Sequence, residues 1–222
     1  MEASGPIERR FNPYTDNGGT VLGVAGEDFA VIASDTRLSE YYSIHARDVP
    51  KLFKLTPQMV LGCAGFHGDV LTLTKEMNEA TQVYQYEHGR TISTPATAEM
   101  LSKKLYYRRF FPFYTYNVLV GLDTEGKGAV YGFDPIGSFE RETFRASGSA
   151  ASLLQPLLDN QIGYHNQPNA KREPLSRDKA VALVREVFSC AAERDIQTGD
   201  GVVISVITKD GVKESFYPLR SD

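Results

Sequence analysis

The chain has 222 residues, 41% of them hydrophobic and 23% charged, which predicts one folded domain and excludes a largely disordered protein. A formal net charge of −4 gives no reason to expect nucleic acid or an anionic membrane as a partner. No apolar run approaches the ~20 residues of a membrane-spanning helix, and the opening M-E-A-S-G-P-I-E-R-R lacks the apolar core of a secretion signal.

The cysteines and histidines predict neither a disulfide nor a metal site. Cys63 and Cys190 lie in the apolar contexts L-G-C-A-G and F-S-C-A-A, which predicts two buried thiols rather than a disulfide. We therefore expect a protein of the cytoplasm and nucleus. His67, beside Gly68-Asp69, invites a metal or general-base role, but no second histidine lies at ligand spacing. A polar residue at a helix start is the expected role of His67, and no metal or cofactor is predicted.

The first part of the chain predicts an arm followed by strands. Residues 1–18 are polar and rich in Gly, Pro and Asn, which is typical of an extended arm, and residues 19–222 are expected to form a single domain. Two pairs of short apolar runs predict β-hairpins, at 21–25 with 29–34 and at 52–55 with 59–63. Their successive apolar positions are typical of strands covered on both faces.

The pattern then changes to helical spacing and back. Helices are predicted at 68–87, from a capping Thr94 followed by Pro95 to before Pro112, at 149–160, and after a capping Ser176. Residues 165–174 predict a loop, and strands are predicted at 116–122, 128–133, 139–146, 202–208 and 212–217. Because strand and helix blocks are segregated, the fold class predicted is α+β, a four-layer αββα sandwich of two antiparallel sheets between helix layers.

Five motifs in one order resemble the beta-type subunits of the 20S proteasome core, in the N-terminal-nucleophile hydrolase family. They are S-D-T-R (34–37), Lys51, G-C-A-G-F (62–66), A-S-G-S (146–149) and E-R-D-I-Q-T-G-D-G (193–201). Further pieces, F-N-P-Y-x-x-N-G-G-T, R-R-F-F-P, D-x-E-G-K-G-A-V-Y and F-D-P-I-G-S, are similar to the sixth-position branch of those subunits, which is catalytically silent in the family.

The resemblance implies a set of site positions. Active relatives free a terminal threonine, whose hydroxyl attacks the scissile carbonyl and whose amine acts as base. The resemblance implies that Asp35, Arg37 and Lys51 support the nucleophile and that Gly65 supplies the backbone donor of the oxyanion hole. It also implies that Ser147 and Asp195 hold the terminal amine and hydroxyl in place, and Thr198 stands where active members more often have serine. Counting sixteen residues back from Asp35 reaches Gly19, which has no hydroxyl.

Thr20 is the alternative nucleophile, if a peptidase cut after Gly19. Thr20 begins a strand, where successive side chains point to opposite faces, so its hydroxyl is expected to point away from Lys51. The remaining lysine–aspartate pair is then expected to be structural, because removing one partner of a buried pair costs about 3–5 kcal/mol.

Two surface features suggest contacts with other subunits. The cluster Y-Y-R-R-F-F-P-F-Y-T-Y (106–116) exceeds what one helix end can bury, which predicts an interface that includes Arg108, Arg109, Phe110 and Phe111. Asp134 in F-D-P-I-G-S is expected to cap a turn. The resemblance adds the hypothesis that its loop lines the substrate pocket of a neighbouring subunit.

The sequence thus predicts a non-catalytic beta subunit that forms part of the chamber wall of the 20S core in ubiquitin- and ATP-dependent protein degradation. The resemblance implies alpha and beta subunits as partners, with the fifth and seventh beta subunits as ring neighbours, a second beta ring on one side, and regulatory particles as indirect partners. Two alternatives stay open: an active threonine-type endopeptidase after processing to Thr20, and a free-standing binding protein on the same fold.

Overall fold

Two five-stranded antiparallel sheets stack face to face in the computed structural model of the protein, which describes residues 11–222. Residues 11–19 carry no helix or strand, and residues 1–10 of the predicted arm lie outside the described part. The strands are β1 (Thr20–Ala25), β2 (Ala30–Asp35), β3 (Leu38–Glu40), β4 (Ser43–Ala46), β5 (Leu52–Thr56), β6 (Met59–Gly65), β7 (Thr115–Leu122), β8 (Gly128–Phe133), β9 (Phe139–Glu142), β10 (Phe144–Gly148), β11 (Gly201–Thr208) and β12 (Gly211–Pro218). The helices are α1 (His67–His88), α2 (Thr94–Tyr107), α3 (Ala151–Gln161) and α4 (Arg177–Ala192).

The strand order explains the four layers. One sheet has the order β10-β1-β2-β11-β12 and the other β5-β6-β7-β8-β9. Helices α3 and α4 cover the outer face of the first sheet, and α1 and α2 cover the second. A third apolar cluster fills the space between the sheets. This order of layers confirms the predicted αββα sandwich. It also explains the apolar runs, because each central strand buries both of its faces.

Side-chain alternation along β1 sets up the site. Val21 points into the layer between the sheets, whereas Leu22 and Val24 point to the side covered by α3 and α4. Thr20 precedes Val21 and so shares the side of Leu22. Strand alternation therefore separates neighbouring residues at the start of β1 onto two different layers.

The predicted helices form with small corrections at their ends. Helix α1 ends at Gly89, which has φ +63, the left-handed conformation that glycine adopts without cost. Helix α2 is capped by Ser93, whose hydroxyl accepts from Ala96 N, and not by Thr94 as predicted. The Thr94 hydroxyl instead donates to the Leu122 carbonyl on β7, so tertiary contact decides which residue caps. Ser176 caps α4 as predicted.

The predicted strand at 139–146 is two strands in different sheets. Strand β9 pairs with β8, and β10 pairs with β1. The chain crosses between the sheets at Thr143, whose carbonyl accepts from Ala25 N at 2.7 Å. Phe139 packs on the cluster under α1 and α2, and Phe144 on the cluster under α3 and α4. A continuous stretch of the sequence can therefore supply strands to both sheets.

Two further features differ from the prediction. The short hairpin of β3 and β4 was missed, since its residues are polar and carry little apolar alternation. Cys63 is buried, but Cys190 is exposed on α4 because it lies on the outer face of that helix. No helix within residues 11–222 has the length and apolar character needed to cross a membrane.

Candidate functional site

Gly19 lies directly before β1 and faces the side chain of Lys51. Its φ is +88, and a Cβ built on it would collide with Lys51 Cε and lie 3.1 Å from Lys51 Nζ. A side chain at this position would therefore stand beside the ammonium group, as the resemblance implies for a nucleophile. Glycine places no oxygen there.

Lys51 and Asp35 form a buried ion pair beneath that position. Lys51 Nζ lies 2.9 Å from Asp35 Oδ1, and it also donates to the carbonyls of Asp35 (3.2 Å) and Arg37 (2.6 Å). Burial raises the pKa of Asp35, against the opposing effect of Lys51, and burial lowers the pKa of Lys51. Since all of these acceptors belong to the last residue of β2 or to the segment that follows it, the ion pair holds the end of the strand in place.

Asp35 also binds the main chain on both sides. Its Oδ1 accepts from Thr20 N at 2.9 Å, and its Oδ2 accepts from Arg37 N at 3.2 Å. The amide of Thr20 is thus held by the same carboxylate that holds Lys51. The start of β1 and the end of β2 are fixed by one buried side chain.

The Thr20 hydroxyl points into a separate polar cluster. Thr20 Oγ1 lies 2.8 Å from Thr198 Oγ1 and accepts from Ala150 N at 3.0 Å. Asp195 Oδ2 accepts from Thr198 Oγ1 and from Ser149 Oγ, each at 2.6 Å. The hydroxyl of Thr20 is therefore engaged on the side away from Lys51, in agreement with the strand alternation.

Ser149, and not Ser147, brings the serine hydroxyl to this cluster. Ser149 Oγ contacts Asp195 and lies 3.4 Å from the Gly19 carbonyl, which also accepts from Ser149 N at 3.0 Å. Ser147 lies within β10 opposite Val21. The motif A-S-G-S has two candidate serines, and Gly148, with φ +98, turns the chain so that the second one reaches the site.

Gly65 donates its backbone N–H to the carbonyl of Gly18, with an N···O distance of 3.1 Å. The resemblance implies an oxyanion-hole donor at Gly65, so the chain's own preceding residue lies where that donor points. Gly65 has φ +105, and a Cβ on it would lie 2.6 Å from the Tyr114 carbonyl. Only glycine fits this close approach of β6 and β7.

Arg37 forms a second buried ion pair, with Asp200, that sequence reasoning missed. Arg37 Nε lies 2.7 Å from Asp200 Oδ2, and Arg47 pairs with Asp200 Oδ1. Burial acts to raise the pKa of Asp200, but the hydrogen bonds from Arg37 and Arg47 outweigh it and the pKa is lowered. Asp200 follows T-G in the 193–201 motif, and its φ of +67 marks it as a strained position.

The remaining predicted residues lie outside this site. Asp134 Oδ1 accepts from Ile136 N (3.0 Å) and Ser138 N (2.8 Å), which is the turn-capping arrangement predicted for it. Phe110 is 95% exposed and Phe111 57% exposed at the end of α2. Arg109 lies over the Phe110 ring, and Arg108 over the Phe113 ring.

His67 is the first residue of α1, and no group of three or more metal-binding side chains occurs among residues 11–222. The αββα fold is that of the N-terminal-nucleophile hydrolase class, and the buried lysine–aspartate pair lies below the start of β1, where the resemblance implies it.

Comparison with known protein families identifies the chain more narrowly. A family model described as "Proteasome subunit" matches residues 15–207. Proteasome subunit beta type-1-B of Carassius auratus is 58% identical over 219 residues, which are 99% of this chain and 92% of that protein. Proteasome subunit beta type-1 of Drosophila melanogaster is 52% identical over 214 residues (96% and 91%). Proteasome subunit beta type-6 of Saccharomyces cerevisiae is 48% identical over 226 residues (98% and 94%).

The chain belongs to the proteasome subunit family, and its relatives are beta-type subunits. The predicted resemblance to the beta-type subunits of the proteasome core is confirmed.

Proposed function

We propose that this protein is a non-catalytic structural beta subunit of the 20S proteasome core, which forms part of the chamber wall in ubiquitin- and ATP-dependent protein degradation. The observation that carries the proposal is the absence of a side chain at Gly19, the position that faces Lys51. Relatives named beta type-1 and beta type-6 support its place in a beta ring. We place it in the cytoplasm and nucleus.

In this proposal the subunit contacts alpha subunits, its fifth and seventh beta neighbours, and the second beta ring, with regulatory particles as indirect partners. Residues 1–18 form an arm and residues 19–222 the ring-forming domain. The exposed aromatic residues with Arg108 and Arg109 at the end of α2 support a protein interface. The free-standing binding protein is the competing hypothesis, and size-exclusion of native extract separates the two.

The competing catalytic hypothesis is processing to Thr20. The hydroxyl of Thr20 is bound to Thr198 and Ala150, so a new terminus there would present its hydroxyl on the side away from Lys51. Attack by a terminal threonine requires its hydroxyl, its free amine and the lysine to lie together. This geometry favours the silent subunit.

The test is labelling of native particles with a peptide epoxyketone, which needs both the hydroxyl and the free amine of a terminal threonine. We expect adducts on catalytic subunits of the same particle, which serve as the internal control. We expect none on this chain, and a mature N-terminus that precedes Gly19. An adduct on Thr20 would establish the catalytic hypothesis instead.

The Asp134 loop is proposed to line the pocket of a neighbouring subunit. Because the carboxylate caps its own turn, Asp134→Ala would disturb the loop as well as remove the charge. Asp134→Asn retains an accepting oxygen and removes the charge alone. If the chymotrypsin-like site of the assembled particle keeps its substrate preference with both variants, the pocket role is excluded.

A further inference from the structure

The last residues before β1 run through the cleft in front of Lys51. Gly18 and Gly19 are buried, whereas Asp16 is exposed, so the chain enters the cleft at Asn17. Gly18 has φ +65, and a Cβ on it would lie 2.6 Å from Gln197 Cβ. The side chain of Gln197 therefore packs closely against one side of Gly18.

This segment forms hydrogen bonds with main-chain groups on two sides of the cleft. Ser39 N, on β3, donates to the Asn17 carbonyl at 3.3 Å, and Asn17 Nδ2 donates to the Ser39 carbonyl at 3.2 Å. Gly65 N, at the end of β6, donates to the Gly18 carbonyl at 3.1 Å. An extended peptide that bound between β3 and β6 would need these same donors.

Asn17 also completes helix α1 from fifty residues away. Phe66 occupies the N-cap position of α1 and makes no side-chain cap hydrogen bond. The first N–H of the helix, that of His67, donates to Asn17 Oδ1 at 2.9 Å. Asparagine is a preferred partner for these orphan donors, and here it is supplied by the arm.

The arm is anchored a second time at Tyr14. The Tyr14 hydroxyl donates to the Pro112 carbonyl at 2.6 Å, and the Tyr14 ring packs against Phe111 and Tyr114 at centroid distances of 5.8 Å. Residues 14–18 thus span from the turn after α2 to the start of β1.

We propose that residues 14–18 act as a permanent intramolecular ligand of the cleft, with Asn17 as the residue that locks them in place. The segment holds the main-chain donors of β3, β6 and α1 at once, so the cleft is closed to exogenous peptide as well as lacking a nucleophile. Removal of the arm would uncap α1 and leave three N–H groups without their acceptors, which opposes activation by processing. The inference concerns the folded chain and does not depend on assembly into a ring.

The test is hydrogen–deuterium exchange on the full-length protein, resolved to single amides by fragmentation mass spectrometry. We expect the amides of Ser39, Gly65 and His67 to be protected. In Asn17→Ala all three should exchange faster together, each by about 2- to 10-fold, since the two side-chain hydrogen bonds of Asn17 are lost and the segment, with its main-chain bonds to Ser39 and Gly65, opens as a unit. Asn12→Ala is the matched control, because Asn12 Oδ1 accepts from Tyr14 N within the arm.

A second variant separates this lock from a simple helix cap. Asn17→Asp keeps an accepting oxygen at the start of α1, where a negative charge is favourable, so it should restore protection at His67 and Gly65. The proposal is wrong if Asn17→Ala accelerates exchange at His67 alone, or if Ser39 and Gly65 are unprotected in the unmodified protein. Should Asn17→Ala fail to fold, an unprotected Gly65 amide in Asn17→Asp would also overturn it.

Discussion

At the scale of single residues, Gly19 meets two demands at once. Its φ of +88 is strained for any residue with a Cβ, and the space where a Cβ would lie is filled by Lys51. Lys51 cannot move aside freely, because its ammonium is held by Asp35 and by two carbonyls. The glycine that leaves position 19 without a hydroxyl therefore also suits the packing around the lysine.

We expect Gly19→Ala to lower the free energy of unfolding by about 2–4 kcal/mol, from backbone strain and overpacking together. Gly89→Ala is the control, because Gly89 also has a positive φ of +63 but nothing lies within 4 Å of its added Cβ. That variant should lose only about 1 kcal/mol. Equal losses of unfolding free energy in the two variants, measured by urea unfolding, would mean that the Lys51 side chain moves aside at no energetic cost.

Thr198 supplies a second test at this scale. Its hydroxyl is fully buried and bonds Asp195 and Thr20, at 2.6 Å and 2.8 Å. Thr198→Val should cost about 2–3 kcal/mol in the free energy of unfolding, because it leaves a carboxylate with one donor fewer. Thr208→Val, which removes only a 3.5 Å contact to the Gly211 carbonyl, should change stability by less than about 0.5 kcal/mol. A similar loss in both variants would contradict a structural role for the buried cluster.

At the scale of elements, the site is a meeting of strand ends. Asp35 ends β2, Lys51 precedes β5, Gly65 ends β6, and Gly201 begins β11. Main-chain groups at strand ends lack ladder partners, so buried side chains must satisfy them. Asp35, Lys51 and Arg37 make hydrogen bonds to such groups, so the buried charges have a structural role that needs no side chain at position 19.

Asp200 makes this arrangement sensitive to acid. Its pKa is lowered in the folded protein by Arg37 and Arg47, so its stabilising effect is present above the unfolded pKa of about 3.9 and is lost as the pH falls through the folded value. Asp200→Asn should lower the melting temperature at neutral pH, and the difference from the unmodified protein should narrow as the pH falls below the unfolded pKa of about 3.9. A constant difference at all pH values would show that Asp200 acts by packing alone.

At the scale of the whole molecule, the layers leave an aromatic surface uncovered at the end of α2. Tyr107 is 91% exposed and Phe110 95% exposed, next to Arg108 and Arg109. Aromatic side chains with arginine are enriched at the centres of protein interfaces. The surface is continuous with the arm, because Phe111 contacts Tyr14.

We expect Phe110→Asp to reduce incorporation into proteasome particles by at least about tenfold, measured by native electrophoresis of tagged subunits, because a carboxylate would be desolvated at the contact. Its thermal stability should be unchanged, since the ring makes no core contact. Phe110→Tyr is the control and should assemble normally. Normal assembly of Phe110→Asp would remove this surface from the interface hypothesis.

The outline of the fold follows from local chemistry. Apolar runs covered on both faces predict the paired strands, and Gly89 and Ser176 end and begin their helices as their chemistry requires. Errors arose where a distant element competes for a local group. Thr94 bonds Leu122 rather than capping its helix, and Thr143 bonds Ala25 at the crossing between sheets.

The candidate site, like the fold, was predicted in part from the sequence and decided in part by the tertiary structure. Residue type and spacing alone determined that position 19 has no hydroxyl and that strand alternation sends Thr20 to the other side. Only the tertiary structure decided that Ser149 rather than Ser147 meets Asp195, that Asp200 joins Arg37 to Arg47, and that Asn17 reaches His67. The physical reason is that these partners are brought together by backbone reversals at Gly148, Asp200 and Gly18, whose positive φ values have no signature in hydrophobic periodicity.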